Sequence, residues 1–316
     1  YNADGMNDLV VFDTGSEAPS DFINGMFPGA KNQYFLQTSS GFVLQAYLPN
    51  NATNTFNHSS VMADVNGDGS ADYLGTQLGG PQFAGYGLTL GMNADGQFTD
   101  KSYLLPIELR YKLSADWSLY TNVDVQVPGC VEVADLNNDG RKDLITASYG
   151  TDQLTGKLSV RVATQQADGT FTQSTVGYMP QTLKDGGCYG AVSISAGDID
   201  NDGRKDLAIL WEGNGLSATQ ILHNDGGGSF SDATNAVLGS YMLRNVSARN
   251  AAGNYANLAT SVDLIDMNGD GFLDMSFGQM GSAPAHYTDP TSQALGDSVF
   301  LNDKAGHLHA WTPNLN

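Results

Sequence analysis

The chain has 316 residues, with 34 acidic side chains, 14 basic side chains and a formal net charge of −20. Nucleic acid is therefore excluded as an expected partner, because phosphate binding depends on clustered lysine and arginine. No stretch approaches the roughly 20 apolar residues of a membrane helix. Charged residues make up only 15% of the chain and glycine occurs 38 times, a combination that favours short strands and tight turns over long helices.

A nine-residue pattern, D-x-[ND]-x-D-G-x-x-D, recurs along the chain. A truncated copy opens the sequence as NADGMND at residues 2–8, without its first aspartate. Four complete copies follow: DVNGDGSAD at 64–72, DLNNDGRKD at 135–143, DIDNDGRKD at 198–206 and DMNGDGFLD at 266–274. The complete copies start 71, 63 and 68 residues apart, so we expect tandem structural repeats.

Each complete copy lies between two apolar segments that are rich in β-branched residues. SSVMA, VEVA, AVSISAG and SVDLI precede the copies, and YLGTQ, LITASY, LAILWE and MSFGQ follow them. A third apolar segment then leads to a hairpin turn, after which a fourth strand is expected. The glycines of these turns are Gly41, Gly96, Gly169, Gly228 and Gly306. Each repeat is therefore predicted to form four antiparallel strands.

A four-stranded sheet of roughly 65 residues cannot bury both of its faces alone, and radial packing of such sheets gives a β-propeller. We expect an all-β propeller of four-stranded antiparallel blades, with about five repeats in a single domain over residues 1–316. A flat array or a stack of sandwiches is the alternative. The expected repeat limits are 1–56, 57–127, 128–187, 188–258 and 259–316.

The oxygen-bearing side chains of the pattern predict a loop that wraps a cation. Oxygen ligands at alternating positions, with glycine at position six for a sharp turn, suit a hard cation, and the absence of histidine and cysteine from the pattern favours Ca²⁺ over zinc or copper. At position seven the side chain varies, so the backbone carbonyl is the expected ligand. The sequence predicts up to five calcium ions, one for each copy. The candidate ligands are Asn2, Asp4, Met6, Asp8, Asp64, Asn66, Asp68, Ser70, Asp72, Asp135, Asn137, Asp139, Arg141, Asp143, Asp198, Asp200, Asp202, Arg204, Asp206, Asp266, Asn268, Asp270, Phe272 and Asp274.

An EF-hand is the rival interpretation of this pattern, and two features reject it. The bidentate glutamate at position twelve is replaced by Gly75, Thr146, Ile209 and Phe277, and the flanking segments have strand patterns. Carboxylates about 4 Å apart repel by about 4 kcal/mol per pair at an effective dielectric constant of about 20. The loops are therefore expected to need a cation.

The motifs DVNGDGSADYLGTQLGGP and DMNGDGFLDMSFGQMGSAP resemble the FG-GAP/VCBS repeat family, which includes the N-terminal propeller of integrin α-subunits. DLNNDGRKDLITA and DIDNDGRKDLAIL are similar to secreted microbial and fungal members. The resemblance covers nearly the whole chain and implies Ca²⁺ in hairpin loops between the first and second strands of each blade. Such propellers usually have seven blades. The chain is therefore expected to be a segment that begins after the first strand of a blade and ends after a fourth strand near Trp311.

The resemblance implies several functions, of which the first is an extracellular binding, adhesion or structural module for a glycan or protein partner. We expect its ligand to contact the long variable segments 14–33, 99–128 and 279–296. Their aromatic side chains could stack on sugars or could instead cover the core; they are Tyr103, Tyr111, Trp117, Tyr120 and Tyr287. An architectural subunit of a surface filament or matrix is another hypothesis.

An enzyme that acts on polysaccharide, of the lyase type, is a further alternative, either in the propeller or in an attached domain. The sequence has no G-x-S-x-G, H-E-x-x-H or phosphate-loop pattern. His307 and His309 share a strand face, as alternate residues do in any strand, so the pair is interpreted as incidental. Enzymatic activity is left open, and no catalytic residue is assigned.

Two cysteines and three sequons bear on the cellular compartment. Cys130 and Cys188 each precede a copy of the pattern, so the sequence allows either a Cys130–Cys188 disulfide or two buried free thiols. Asn51, Asn57 and Asn245 begin N-x-S/T sequons and are candidate N-glycan sites. These features predict a secreted or cell-surface protein.

Overall fold

Short strands make up most of the fold. The computed structural model of the chain describes residues 6–11, 33–47, 57–78, 86–94, 96–110, 122–185, 187–213, 216–239, 244–245, 258–280 and 299–311. Within these ranges, twenty strands form five antiparallel sheets and the helices are short. The predicted fold class, an all-β propeller of antiparallel four-stranded blades with about five repeats, is confirmed.

The five sheets, here named blades 1 to 5, follow one another along the chain. Blade 1 has three described strands: β1 (Leu9–Val11), β2 (Gln33–Thr38) and β3 (Gly41–Tyr47). Blade 2 contains β4 (Ser60–Ala63), β5 (Asp72–Leu78), β6 (Tyr86–Ala94) and β7 (Gln97–Asp100). Blade 3 contains β8 (Val127–Ala134), β9 (Asp143–Gly150), β10 (Ser159–Gln165) and β11 (Phe171–Tyr178).

Blades 4 and 5 repeat this order. Blade 4 contains β12 (Gly190–Gly197), β13 (Asp206–Gly213), β14 (Leu216–Gly226) and β15 (Ser229–Asp232), and a two-residue strand β16 (Arg244–Asn245) pairs with β14. Blade 5 contains β17 (Leu258–Ile265), β18 (Asp274–Met280), β19 (Val299–Asn302) and β20 (Leu308–Ala310). The helices are α1 (Gln181–Asp185), α2 (Thr234–Leu238) and a 3₁₀ turn at Ser102–Leu104. The last two strands of every blade meet at a predicted turn glycine, and all five of these glycines have positive φ.

The chain divides into two compact units, each with its own apolar core. Unit 1 comprises residues 1–133 and 140–175, and unit 2 comprises residues 134–139 and 176–316. The core of unit 1 is Val65, Leu74, Leu88, Leu90, Leu105, Leu109, Val131, Leu144, Ala163 and Phe171. The core of unit 2 is Ile199, Ala208, Leu210, Ile221, Ala259, Val262, Met275, Phe277, Phe300 and Leu308. The single-domain description and the repeat limits stay predictions.

In blades 3 and 4 the second strand is buried on both of its faces. In β13 the run from Asp206 to Trp211 is buried at every residue, and β9 is buried from Asp143 to Ser148. A strand covered on both faces has a continuous apolar run in place of alternation, which is the pattern of LAILW and LITA.

Arg161 in β10 is a charged residue within unit 1 that is only 1% exposed. Its guanidinium donates to Oδ2 of Asp152 at 2.6 Å and to Oδ2 of Asp124 at 3.0 Å. It also donates to the backbone carbonyl of Asp124 at 2.7 Å. Loss of these partners would leave a buried charge unpaired, at a cost of about 3–5 kcal/mol. The contacts with Asp124 therefore hold the segment before β8 against the blade.

Cys130 and Cys188 are free, buried thiols, so the predicted disulfide is wrong and the alternative interpretation holds. Cys130 lies in β8 and is 1% exposed, while Cys188 follows α1 and is 3% exposed. Burial raises the pKa of Cys130 to about 12 and the pKa of Cys188 to about 11. A thiol with so high a pKa holds almost no thiolate at neutral pH and is a poor nucleophile.

The sequons differ in what the structure shows of them. Asn57 is only 4% exposed in the folded protein, and its use as a glycan site stays a prediction. Asn245 lies in β16. Asn51 lies outside the described residues. None of the helices in the described ranges has the length and apolarity needed to cross a bilayer.

The thiol assignment gives a direct test. We expect an aromatic disulfide reagent to titrate no thiol in the folded protein at pH 7 and two thiols after denaturation without reductant, because both groups are buried and neutral. The absorbance of the released thiolate measures this. Fewer than two thiols in the denatured, unreduced chain would contradict the assignment.

Candidate functional site

The four complete copies of the pattern form loops that join the first and second strands of blades 2 to 5. They are named loop 2 (64–72), loop 3 (135–143), loop 4 (198–206) and loop 5 (266–274). This is the position that the family resemblance implies. Of the truncated copy, Asn2 and Asp4 lie outside the described residues, whereas Met6 and Asp8 directly precede β1.

The aspartate at position one organises the backbone of its loop. In loop 2, Oδ1 of Asp64 accepts from the N–H groups of Gly67 and Asp68 at 2.8 and 3.0 Å, and Oδ2 accepts from Gly69 at 2.9 Å. In loop 5, Oδ1 of Asp266 accepts from positions four and five at 2.8 and 3.1 Å, and Oδ2 accepts from position six at 2.9 Å. The backbone thus curls around this carboxylate.

The side chains at positions three and five face into the same turn. The N–H at position five donates to the side-chain oxygen at position three in all four loops, at 2.9 Å for Asn66, 3.1 Å for Asn137, 3.2 Å for Asp200 and 2.9 Å for Asn268. In loops 2, 4 and 5 the N–H at position seven in turn donates to the carboxylate at position five. In loops 2 and 5 this bond lowers the pKa of Asp68 and Asp270 below the usual aspartate value.

The carboxylates of loop 4 are close enough to share one cation. One oxygen from each of Asp198, Asp200 and Asp202 lies within 4.8 Å of the other two. Two oxygens bound to one Ca²⁺ at about 2.4 Å can be at most about 5 Å apart. The donor set and its spacing therefore fit a calcium ion.

Position four, which the nine-residue pattern leaves unspecified, is also restricted in its residue type. It is occupied by Gly67, Asn138, Asn201 and Gly269, whose φ angles are 76°, 59°, 62° and 74°. Glycine and asparagine are the residues that adopt this left-handed conformation at least cost. The restriction of this position to Gly and Asn could have been recognised from the sequence.

The aspartate at position nine is buried and ties its loop to the third strand of the blade. Asp72, Asp143, Asp206 and Asp274 are 0%, 1%, 2% and 0% exposed. In loops 2, 4 and 5 one oxygen accepts from the N–H at position two, at 2.9 to 3.0 Å. In all four loops the other oxygen accepts from an N–H at the end of the third strand, at 2.8 to 3.0 Å.

The buried position raises the pKa of Asp72 and Asp206, and these hydrogen bonds act against that shift. Asp8 of the truncated copy has the same contact, because its Oδ1 accepts from the N–H of Gln37 in β2 at 3.0 Å. The last position of the pattern is thus a structural connection in every blade that the structure describes.

The third-strand residue that binds position nine also reaches the preceding loop through its side chain. The amide of Gln165 donates to the carbonyl of Val65 at 3.1 Å within unit 1. Within unit 2, Asn224 donates to the carbonyl of Leu136 at 2.9 Å and Asn302 donates to the carbonyl of Ile199 at 2.8 Å. The acceptor is position two of a loop each time, so we name these three side chains the amide clamps.

The arginines at position seven also have a structural role, which the sequence pattern did not predict. Nε of Arg141 donates to the carbonyl of Gln165 at 3.1 Å, and Nε of Arg204 donates to the carbonyl of Asn224 at 2.6 Å. The guanidinium of Arg204 also contacts the carboxylate of Asp202. In loops 3 and 4 the side chain at position seven therefore connects the loop to the third strand.

A cavity of about 510 Å³ adjoins loop 2 in unit 1. Asn66 and Asp68 of the loop line it, together with Lys101 and Tyr103. Tyr103 is 62% exposed, and Nζ of Lys101 lies 5.7 Å from its ring centroid. The other aromatic candidates, Tyr111, Trp117, Tyr120 and Tyr287, lie outside the described residues.

His307 and His309 both approach Asp303 in the hairpin between β19 and β20. The distances from Nδ1 of His307 and Nε2 of His309 to Oδ2 of Asp303 are 2.8 and 3.5 Å. Hydrogen bonds from the N–H groups of Ala305 and His307 contribute to a pKa of Asp303 well below the usual value. Both imidazoles are exposed at the surface, 50% and 69% by side chain.

Residues 135–209, which contain loops 3 and 4, match the model of the FG-GAP-like repeat family. This segment is similar to an FG-GAP-like repeat. The family resemblance predicted from the motifs is therefore confirmed. None of the curated protein sequences compared with the chain matches it.

Two solved structures are similar to the chain at low identity. One is an exotype rhamnogalacturonan lyase, YesX, at 13% identity and a TM-score of 0.39, with 79% of this chain and 47% of the lyase covered. The other is a Bacillus licheniformis rhamnogalacturonan lyase at 13% identity and a TM-score of 0.39, with 86% of this chain and 53% of the lyase covered. The chain spans about half the length of these two lyases.

The amide clamps give a stability test of the FG-GAP-like loops. Asn302→Ala removes the donor to the carbonyls of Ile199 and Leu273, so we expect the free energy of unfolding to fall by about 2 kcal/mol or more. Urea denaturation measures the change. Asn235→Ala, an exposed change on α2, is the control and should cost less than about 0.5 kcal/mol. Equal effects of the two substitutions would show that the clamp contributes nothing.

Proposed function

We propose that this protein is an extracellular calcium-binding propeller that serves as a binding module for a glycan. The observation that carries the proposal is the repeated arrangement of carboxylate, amide and carbonyl oxygens in loops 2 to 5. Each loop would hold one Ca²⁺ through positions one, three, five, seven and nine, with the carbonyl at position seven. The same assignment extends to the truncated copy at Asn2, Asp4, Met6 and Asp8.

The chemistry of the loops supports calcium over other cations. Among the predicted ligand positions every donor is oxygen, which suits a hard cation with several ligands. The loop backbone is already curled by the hydrogen bonds to position one, so the loop would lose little conformational entropy when it binds a cation. Five such ions would neutralise half of the net charge of −20.

Calcium should stabilise the folded chain, because a ligand that binds only native loops shifts unfolding by mass action. A single site at a ligand concentration 100 times its Kd contributes about 2.7 kcal/mol. We expect excess EGTA to lower the melting temperature measured by calorimetry, and we expect added calcium to restore it. An unchanged melting temperature in EGTA would contradict the calcium assignment.

A single-loop variant separates the loops from general charge effects. Asp68→Asn keeps the shape of position five in loop 2 and removes its charge, so the calcium-dependent increase in melting temperature should shrink. Asp263→Asn removes an exposed carboxylate outside the loops and is the control. If both variants lose the same part of the calcium effect, the loops are not its source.

The glycan part of the proposal rests on the cavity beside loop 2. The exposed ring of Tyr103 offers an apolar face for a sugar ring, as aromatic side chains do at carbohydrate and protein contacts. Thr99, Asn93 and Gln165 line the same cavity and add polar groups, and Lys101 adds a positive charge that favours an acidic sugar. The proposed ligand is therefore an acidic oligosaccharide.

Binding to an array of acidic glycans in calcium tests this proposal. We expect Tyr103→Ala to reduce binding about tenfold or more with an unchanged melting temperature, since the ring is exposed. Tyr178→Ala, which removes a ring 41% exposed on β11, should bind like the unaltered chain. Equal binding by Tyr103→Ala would contradict the site. Release of unsaturated uronate products when the chain is incubated with acidic polysaccharide would contradict a binding role and indicate lyase activity instead.

A further inference from the structure

Blade 4 differs from blades 2, 3 and 5 in two side chains, in and beside its loop, that are able to bind a metal ion. Position three is Asp200 in loop 4 and asparagine in loops 2, 3 and 5. The residue before the amide position of the third strand is His223, where blades 2, 3 and 5 have Met92, Thr164 and Leu301. Strands β13 and β14 pair Leu207 with Leu222, and this register places His223 beside Asp206. Two metal-binding groups are therefore added at one place.

The geometry of the three side chains suits a small divalent ion. Nδ1 of His223 lies 3.0 Å from Oδ1 of Asp206 and 3.6 Å from Oδ2 of Asp200. One ligand atom from each residue lies within 4.8 Å of the other two. Ligand atoms bound tetrahedrally to zinc at about 2.0 Å are about 3.3 Å apart, which falls between the two observed distances.

The surroundings hold these groups in place and leave room for an ion. Oδ2 of Asp206 accepts from the N–H of Ile199 at 3.0 Å, which fixes the carboxylate. The second imidazole nitrogen, Nε2 of His223, lies 3.8 Å from Oδ1 of Asp225. A carboxylate beside the remote nitrogen is the usual means of orienting a metal-binding histidine. A cavity of about 240 Å³, lined by these three groups and by His307, offers access and space for a water ligand.

We propose that His223, Asp200 and Asp206 bind a borderline divalent transition metal, such as Zn²⁺, beside loop 4. An imidazole nitrogen with two carboxylates favours such a metal, whereas the all-oxygen loops favour calcium. Each carboxylate has two oxygens, so Asp200 and Asp206 can bind zinc and still contribute to loop 4. The zinc site shares Asp200 and Asp206 with the proposed calcium loop, and His223, which the strand register places beside Asp206, is its ligand from outside that loop.

The test is a calorimetric titration of the whole chain with Zn²⁺, in calcium-containing buffer without chelator. We expect the tightest zinc event to weaken about tenfold or more in His223→Gln, which loses the nitrogen ligand. Asp200→Asn should weaken it similarly; this variant gives loop 4 the asparagine that loop 3 has at position three, so folding is retained. His58→Gln, an exposed change in unit 1, is the matched control and should leave the affinity within about twofold.

Cobalt(II) in place of zinc gives a spectroscopic readout, since its visible absorption depends on its ligands and geometry. This absorption should be present in the unaltered chain and lost in His223→Gln. Zinc binding that is equal in His223→Gln and the unaltered chain would overturn the proposal. The absence of any zinc binding, in a chain that calcium still stabilises, would also overturn the zinc site and leave the calcium function intact.

Discussion

A buried aspartate carboxylate at the end of each loop is the contact on which the rest of a blade depends. In loops 2, 4 and 5 its two oxygens accept hydrogen bonds from different parts of the blade, one at the start of the loop and one at the end of the third strand. A buried carboxylate without such partners would cost several kcal/mol, on the order of 3–5. Loop, second strand and third strand are therefore held in one arrangement. From the same third-strand position, the amide clamps extend the connection to the preceding loop.

This arrangement explains why the nine-residue pattern stays nearly fixed while the segments between its copies vary. Position one curls the backbone, positions four and six supply the left-handed turns, and position nine connects the loop to the blade. Positions three and five add oxygen-bearing side chains to the same turn, and in loop 4 one oxygen from each of positions one, three and five lies within 4.8 Å of the other two. Because the scaffold is repeated, a change beside one loop alters the chemistry of that blade alone, as His223 does in blade 4.

The fold and the position of the loops could be predicted from the sequence because they depend on local patterns. Apolar runs, turn glycines and the spacing of aspartates are all visible within a few residues, as in DLNNDGRKDLITA. The clamps could not be predicted, since Asn302 and Ile199 are about a hundred residues apart and meet only in the folded unit. The sequence also left the state of the cysteines open, because burial depends on the folded surroundings: Cys130 in β8 and Cys188 after α1 are both buried free thiols. Arg141 and Arg204 were predicted to act only through their carbonyls, whereas their side chains bind the third strand.

The central claim is that loops 2 to 5 are calcium sites built on the buried aspartates. Anomalous diffraction from a crystal grown in calcium, recorded at a wavelength where calcium scatters anomalously, tests it most directly. The claim predicts one anomalous peak within each of the four loops, with the oxygens of positions one, three, five, seven and nine around it at about 2.4 Å. Well-ordered loops without such peaks would contradict the claim.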